Sequence, residues 1–169
     1  MNNQLQACPL LLALLLTGAS ASGQDQARMR TELGERADRS TMVRQLSIQP
    51  TSNLVQEVSI ALPVEFDFGK ADLTAKGRDI VDELAEAMND AALLPHVFIV
   101  EGHTDAVGSD QANLGLSKRR AETVQRELIS RGVAAVRLQP AGYGELRLLP
   151  GVPGTNGRNR RVEVVRRVP

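Results

Sequence analysis

From Val58 onward apolar side chains fall on every second residue: Val58, Ile60, Leu62, Val64, Phe66 and Phe68. Ser59, Ala61, Pro63, Glu65 and Asp67 stand between them. Strict alternation sends one set of side chains to one face, so the stretch predicts a strand with a single buried face. Pro63 has no amide donor, which predicts an edge or a bulge there. The period then changes. Ile80, Val81, Leu84, Ala85 and Met88 recur at helical spacing and predict a helix over about 74–89. "HVFIVEG" is a short continuous apolar run that suits a central strand covered on both faces. A second helix follows, with Ala121, Val124, Leu128 and Ile129 as its stripe and Gly132 as its stop. "VRLQPAGYG" predicts a third strand and "RRVEVVRRV" a last one. The order β-α-β-α-β-β predicts an α/β two-layer sandwich, with two helices packed on one face of a mixed sheet.

The part before Val58 has a different character. The run from Ala7 to Leu16, "ACPLLLALLL", is too short for the roughly 20 residues that cross a bilayer. Ala19-Ser20-Ala21 after it offers the small residues of a cleavage site, so residues 1–21 are expected to be an export signal, although "MNNQLQ" carries no Lys or Arg. The only cysteine, Cys8, lies at the front of that run, so thiol chemistry and disulfides are excluded from the processed chain. Residues 22–56 are expected to form a polar, partly helical tether. Glu32 with Arg36 and Glu35 with Arg39 stand at i,i+4, while Met29, Leu33, Val43 and Leu46 make only a thin apolar stripe. Residues 24–46 therefore leave open a docking role toward an envelope protein. Residues 57–169 are the expected folded domain.

Composition narrows the function. Net charge is zero, and the chain has three Phe, one Tyr and no Trp, which argues against binding nucleic acid by bulk charge or base stacking. The distribution is uneven: residues 22–100 hold 8 basic and 13 acidic side chains, net −5, and residues 101–169 hold 12 and 7, net +5.

The chemistry concentrates in "EGHTDAVGSDQANLGLSKRRA", residues 101–121. A metal needs three or four ligands, and His103 and Asp105 find no further His near them in sequence, since His96 lies at the far end of the same strand. Nucleophilic catalysis would have to pair His103 with Ser109 or Ser117, and no strained Gly-x-Ser-x-Gly turn is present. No metal, cofactor or enzymatic activity is expected, and a hydrolase remains the distant rival. Asp105 with Arg120 is the pairing the spacing supports. Asp105 closes the central strand, where ligands gather in α/β sheets. Arg120 lies about 15 Å along the following helix and its side chain leans back. Carboxylate and guanidinium could form a plain salt bridge or flank a gap that holds a zwitterion, and spacing leaves both open.

"FDFGKADLT", "GHTDAVGS", "NLGLSKRRAETV", "AGYGE" and "NRRVEV" stand in an order and spacing that resemble the OmpA-like C-terminal domain family, over about residues 58–167. The resemblance implies a non-catalytic periplasmic module, associated with the cell wall and in some members the outer membrane. Its implied partner is peptidoglycan, bound non-covalently through the free end of diaminopimelate. It also implies roles: Asp105 for the ammonium, Arg120 for the carboxylate, Asn113 for the peptide, with Asp67 and Arg160 lining the pocket. Two departures stand out. Ala112 replaces the aromatic residue often found before the Asn, and "LRLLPGVPG" displaces the Pro that often follows "GYGE".

Overall fold

A computed structural model of the chain describes residues 28–34, 38–51 and 55–168. The expected export signal and residues 22–27 lie outside them. Five strands form one mixed sheet: β1 (Arg28–Glu32), β2 (Glu57–Leu62), β3 (Phe98–His103), β4 (Leu138–Gly144) and β5 (Val162–Arg167). Their spatial order is β1-β2-β5-β3-β4, with β5 antiparallel to both of its neighbours and the outer pairs parallel. Three helices complete the fold: α1 (Arg39–Leu46), α2 (Ala75–Met88) and α3 (Asp110–Ser130).

Alternation along the strands builds the core. Ile60 and Leu62 of β2 stand opposite Val164 and Val162 of β5, and Val100 of β3 stands opposite Val164 on the other side. These side chains, with Phe98, meet Ile80, Val81, Leu84 and Met88 of α2 and Val124 and Leu128 of α3 in one buried cluster. The expected α/β sandwich is observed. The alternation predicted from Val58 to Phe68 stops at Leu62, one residue before Pro63, and Phe66 retains only a single bridge to Leu73. A proline cannot donate to the ladder, so the strand ends before it.

The strand before β2, and the docking of the tether's helix on the domain, were not expected. Residues 28–32 add a strand parallel to β2, and residues 39–46 form a helix packed on α2 with Met42 and Leu46 fully buried. The described residues 28–34 and 38–46 of the segment read as a solvated tether are thus part of the folded body. Its helix is shorter than the spacing suggested and starts where Asp38 caps it, Oδ1 accepting from the Thr41 amide at 2.9 Å. Burying two large apolar side chains contributes roughly 1.5–3 kcal/mol each, more than thin i,i+4 pairing supplies. The arginines of β1 disguise it as a surface segment. Arg28 points across the sheet to Glu57 and Glu101, with N–O distances of 2.8 and 2.7 Å.

That second face of the sheet is buried but polar. The side chains of Glu101, His103 and Glu163 are each 1% exposed. The connection from β4 to β5 folds over it, burying Leu149, bringing Arg147 to Glu101 and placing the Arg147 guanidinium 3.7 Å from the Tyr143 ring centre.

Candidate functional site

Helix α3 lies almost on the backbone of β3 and β4. A Cβ on Gly102 would overlap the Ser117 carbonyl, and one on Gly142 would overlap the Lys118 backbone. The absence of side chains there permits the close approach. The helix begins at Ser109, whose Oγ accepts from the Ala112 amide at 3.3 Å. Its first turn delivers Asn113 to the loop after β3. The Asn113 amide group donates to the carbonyls of Asp105 and Val107 at 3.2 and 3.1 Å and to Glu145 Oε2 at 2.6 Å. Asn113 therefore fixes the loop that presents Asp105, instead of holding its side-chain amide hydrogens free for a ligand. The geometry makes it a positioning residue.

Asp105 is buried to 7% exposure. Its Oδ2 accepts from Arg160 Nη1 at 2.6 Å and its Oδ1 from the Val107 amide at 3.3 Å. The direct salt bridge between Asp105 and Arg120 that the spacing left open does not form, because Arg160, 55 residues away in sequence, occupies the carboxylate.

Arg120 is buried to 8% exposure, and no carboxylate lies within 4 Å of it among the described residues. Its Nε donates to the Lys70 carbonyl at 3.0 Å and its guanidinium stands 4.8 Å from the centre of the Phe66 ring. Burial lowers its pKa, the nearby Arg160 charge lowers it further, and Asp105 acts in the opposite direction. A buried guanidinium with a cation beside it and no anion in contact is costly to the fold. It is suited to receive an anion.

Asp67 sits on the exposed turn between Phe66 and Leu73, its amide donating to the Asp72 carbonyl at 2.9 Å. That turn also supplies the Lys70 carbonyl and the Phe66 ring that hold Arg120, so Asp67 flanks the site from outside. Arg120, Arg160, Phe66 and His103 line a cleft of about 720 Å³ together with a wall from Glu32 and Leu33, at the end of β1. Sequence reasoning missed this wall, and also Phe66 as the ring under Arg120. The odd aromatic pair flanking Asp67 was the available signal.

The polar face beside the cleft was invisible locally. Glu101 and Glu163 stand opposite each other on β3 and β5, and with His103 their ligand atoms lie within 4.8 Å of one another. Three such groups could hold a metal ion by distance. The carboxylates are already engaged, however, Glu101 by Arg28 at 2.7 Å and Glu163 by Arg161 at 2.7 Å, and a dication would have to displace two guanidinium groups. Burial raises the Glu101 pKa, but His103 and Arg28 outweigh it and hold the carboxyl at about 2. Burial lowers the His103 pKa against the opposing pull of Glu101, whose Oε2 lies 3.7 Å from Nε2. Neither ring nitrogen has a hydrogen-bond partner among the described residues, and the ring stacks on Tyr143 at 5.7 Å. Ser117 Oγ donates to the Leu114 carbonyl and accepts from the Gly144 amide, and Ser109 caps α3, so His103 meets neither hydroxyl.

Comparison with known proteins meets this geometry. The OmpA family model matches residues 65–161. Outer membrane porin F of Pseudomonas fluorescens is 40% identical over 113 residues, covering 65% of this chain and 34% of that protein. The OmpA-like domain of FopA1 from Francisella tularensis superposes with a TM-score of 0.57 at 25% identity, covering 68% of this chain and 75% of the other. The peptidoglycan-associated lipoprotein of Burkholderia pseudomallei shares the fold, with a TM-score of 0.52 at 24% identity over 69% of this chain and 95% of its own. The chain spans about a third to a half of the length of the curated relatives it matches.

Proposed function

The chain belongs to the OmpA family, and on that premise we propose that it binds peptidoglycan non-covalently, through the free end of diaminopimelate in the stem peptide. The observation that carries this reading is Arg120, a buried guanidinium that no carboxylate contacts, at the edge of a cleft beside the buried carboxylate of Asp105. A ligand with an ammonium and a carboxylate a short distance apart complements that pair of charges. Each charge-assisted hydrogen bond contributes about 1.5–3 kcal/mol. Asn113 holds the Asp105 loop, the Phe66–Leu73 turn that carries Asp67 holds Arg120 through the Lys70 carbonyl and the Phe66 ring, and Arg160 pairs with Asp105. No step of bond making is required, and the role is that of a wall anchor in the periplasm, beside or attached to the outer membrane.

A docking role for residues 24–46 toward an envelope protein is the second reading. Met42 and Leu46, the apolar positions such a partner would use, are buried against the domain itself, which favours the wall-binding reading. Co-sedimentation with purified sacculi tests it. The wild-type chain is expected to pellet, and Asp105→Ala and Arg120→Ala to stay in the supernatant while remaining folded. Pelleting of both variants at the wild-type level would exclude the pair as the binding site.

A further inference from the structure

One of the site's own cations covers its carboxylate. Arg160 lines the cleft and Asp105 does not, although the two are in contact at 2.6 Å. The Arg160 side chain is 54% exposed and the Asp105 side chain 10%, so the guanidinium stands over the carboxylate on its solvent side. Building on the zwitterion reading above, we propose that Arg160 determines specificity by exchange. It holds Asp105 in place of a ligand ammonium, and on binding it yields Asp105 and turns to the ligand carboxylate beside Arg120.

Three features suit Arg160 to such a movement. Its backbone is anchored next door by Asn159, whose Oδ1 accepts from the Leu149 amide at 2.8 Å and whose Nδ2 donates to the Pro153 carbonyl at 2.9 Å. Arg161 on the other side is tied inward to Glu163. The pivot is therefore fixed and the exposed side chain alone is free to swing. Gly157 makes room for it, since a Cβ there would stand 2.7 Å from Arg160 Nη2. Finally, the Arg160 charge disfavours that of Arg120, and a carboxylate arriving between them would relieve it.

The exchange has a consequence for selectivity. A ligand offering only an ammonium replaces one ion pair by another and gains little. A zwitterion replaces that pair and adds one on Arg120 and Arg160. Specificity then comes from raising the cost of the wrong ligand as well as from holding the right one.

Calorimetric titration with two soluble muropeptides that differ only in bearing diaminopimelate or lysine at the same internal stem position reads this directly. Arg160→Gln is expected to bind the lysine form at least threefold more tightly than wild type and the diaminopimelate form at least threefold more weakly. Gly157→Ala, which displaces the guanidinium but keeps its charge, is expected to strengthen binding of the lysine form and not weaken the other. If Arg160→Gln does not fold, Gly157→Ala carries the test. Parallel changes for both ligands, or none, would overturn the exchange while leaving the zwitterion site intact. Absence of saturable binding to wild type would overturn that site and the exchange with it.

Discussion

Arg120 is held in a way that folding alone does not explain. Its guanidinium is buried on a ring face and a single carbonyl, and burial with the Arg160 charge disfavours its protonated form. A buried charge without a counter-ion carries an uncompensated desolvation cost, which an apolar side chain of similar volume does not. Arg120→Met is therefore expected to keep or raise the melting temperature while abolishing association with sacculi. Lys70 is exposed, so water can take over its carbonyl. A marked loss of stability with binding retained would show that Arg120 serves the fold. At this scale the sequence made Asp105 and Arg120 legible because strand end and helix phase place both at one end of the sheet. The Asp105–Arg160 contact was not legible, because it joins residues whose separation carries no periodicity. Asn113 was assigned to the ligand by its motif, and only the three acceptors around its amide reveal the loop-fixing task.

At the scale of elements, the strands and helices from β2 onward follow from their periods, and Thr74 and Ser109 cap α2 and α3. The segment from Arg28 to Leu46 does not, for a physical reason. Periodicity reports which residues avoid water only when the buried ones are apolar, whereas Arg28 is nine-tenths buried through contacts with Glu57, Glu101 and Glu163. Helix α1 rests on two apolar residues one turn apart, a pattern short enough to occur in any polar stretch. If α1 belongs to the folded body, Met42→Ala should cost about 2–5 kcal/mol in urea denaturation followed by circular dichroism. A change within about 0.5 kcal/mol, the range of surface substitutions, would return the segment to a tether.

At the scale of the whole molecule, β1, β3 and β5 are fastened by one buried network of Arg28, Glu101, Glu163, Arg161 and His103. Its pH dependence has a definite sign. Glu101 is lowered to about 2 and Glu163 and His103 are lowered as well, so the unfolded chain binds more protons than the folded one. The stability these groups contribute is complete above their unfolded values, near 6.5 for the histidine and 4.5 for the carboxyls. Acidification removes the His103 contribution first, then that of the carboxyls, down through about 2 for Glu101. Melting temperature should therefore fall steadily from pH 7 to pH 3, and Glu101→Gln should both lower it at pH 7 and flatten the fall below pH 4.5. An unchanged slope in that variant would remove Glu101 from the account.

What joins these scales is the claim that the cleft reads a head group carrying both charges. Titrating diaminopimelate and lysine muropeptides into the wild-type chain by calorimetry tests it most directly. The lysine form leaves Arg120 buried without an anion, so the diaminopimelate form is expected to bind at least tenfold more tightly, which requires only about 1.4 kcal/mol. Equal affinity for the two would contradict the claim, since Arg120 would then not be reading a carboxylate.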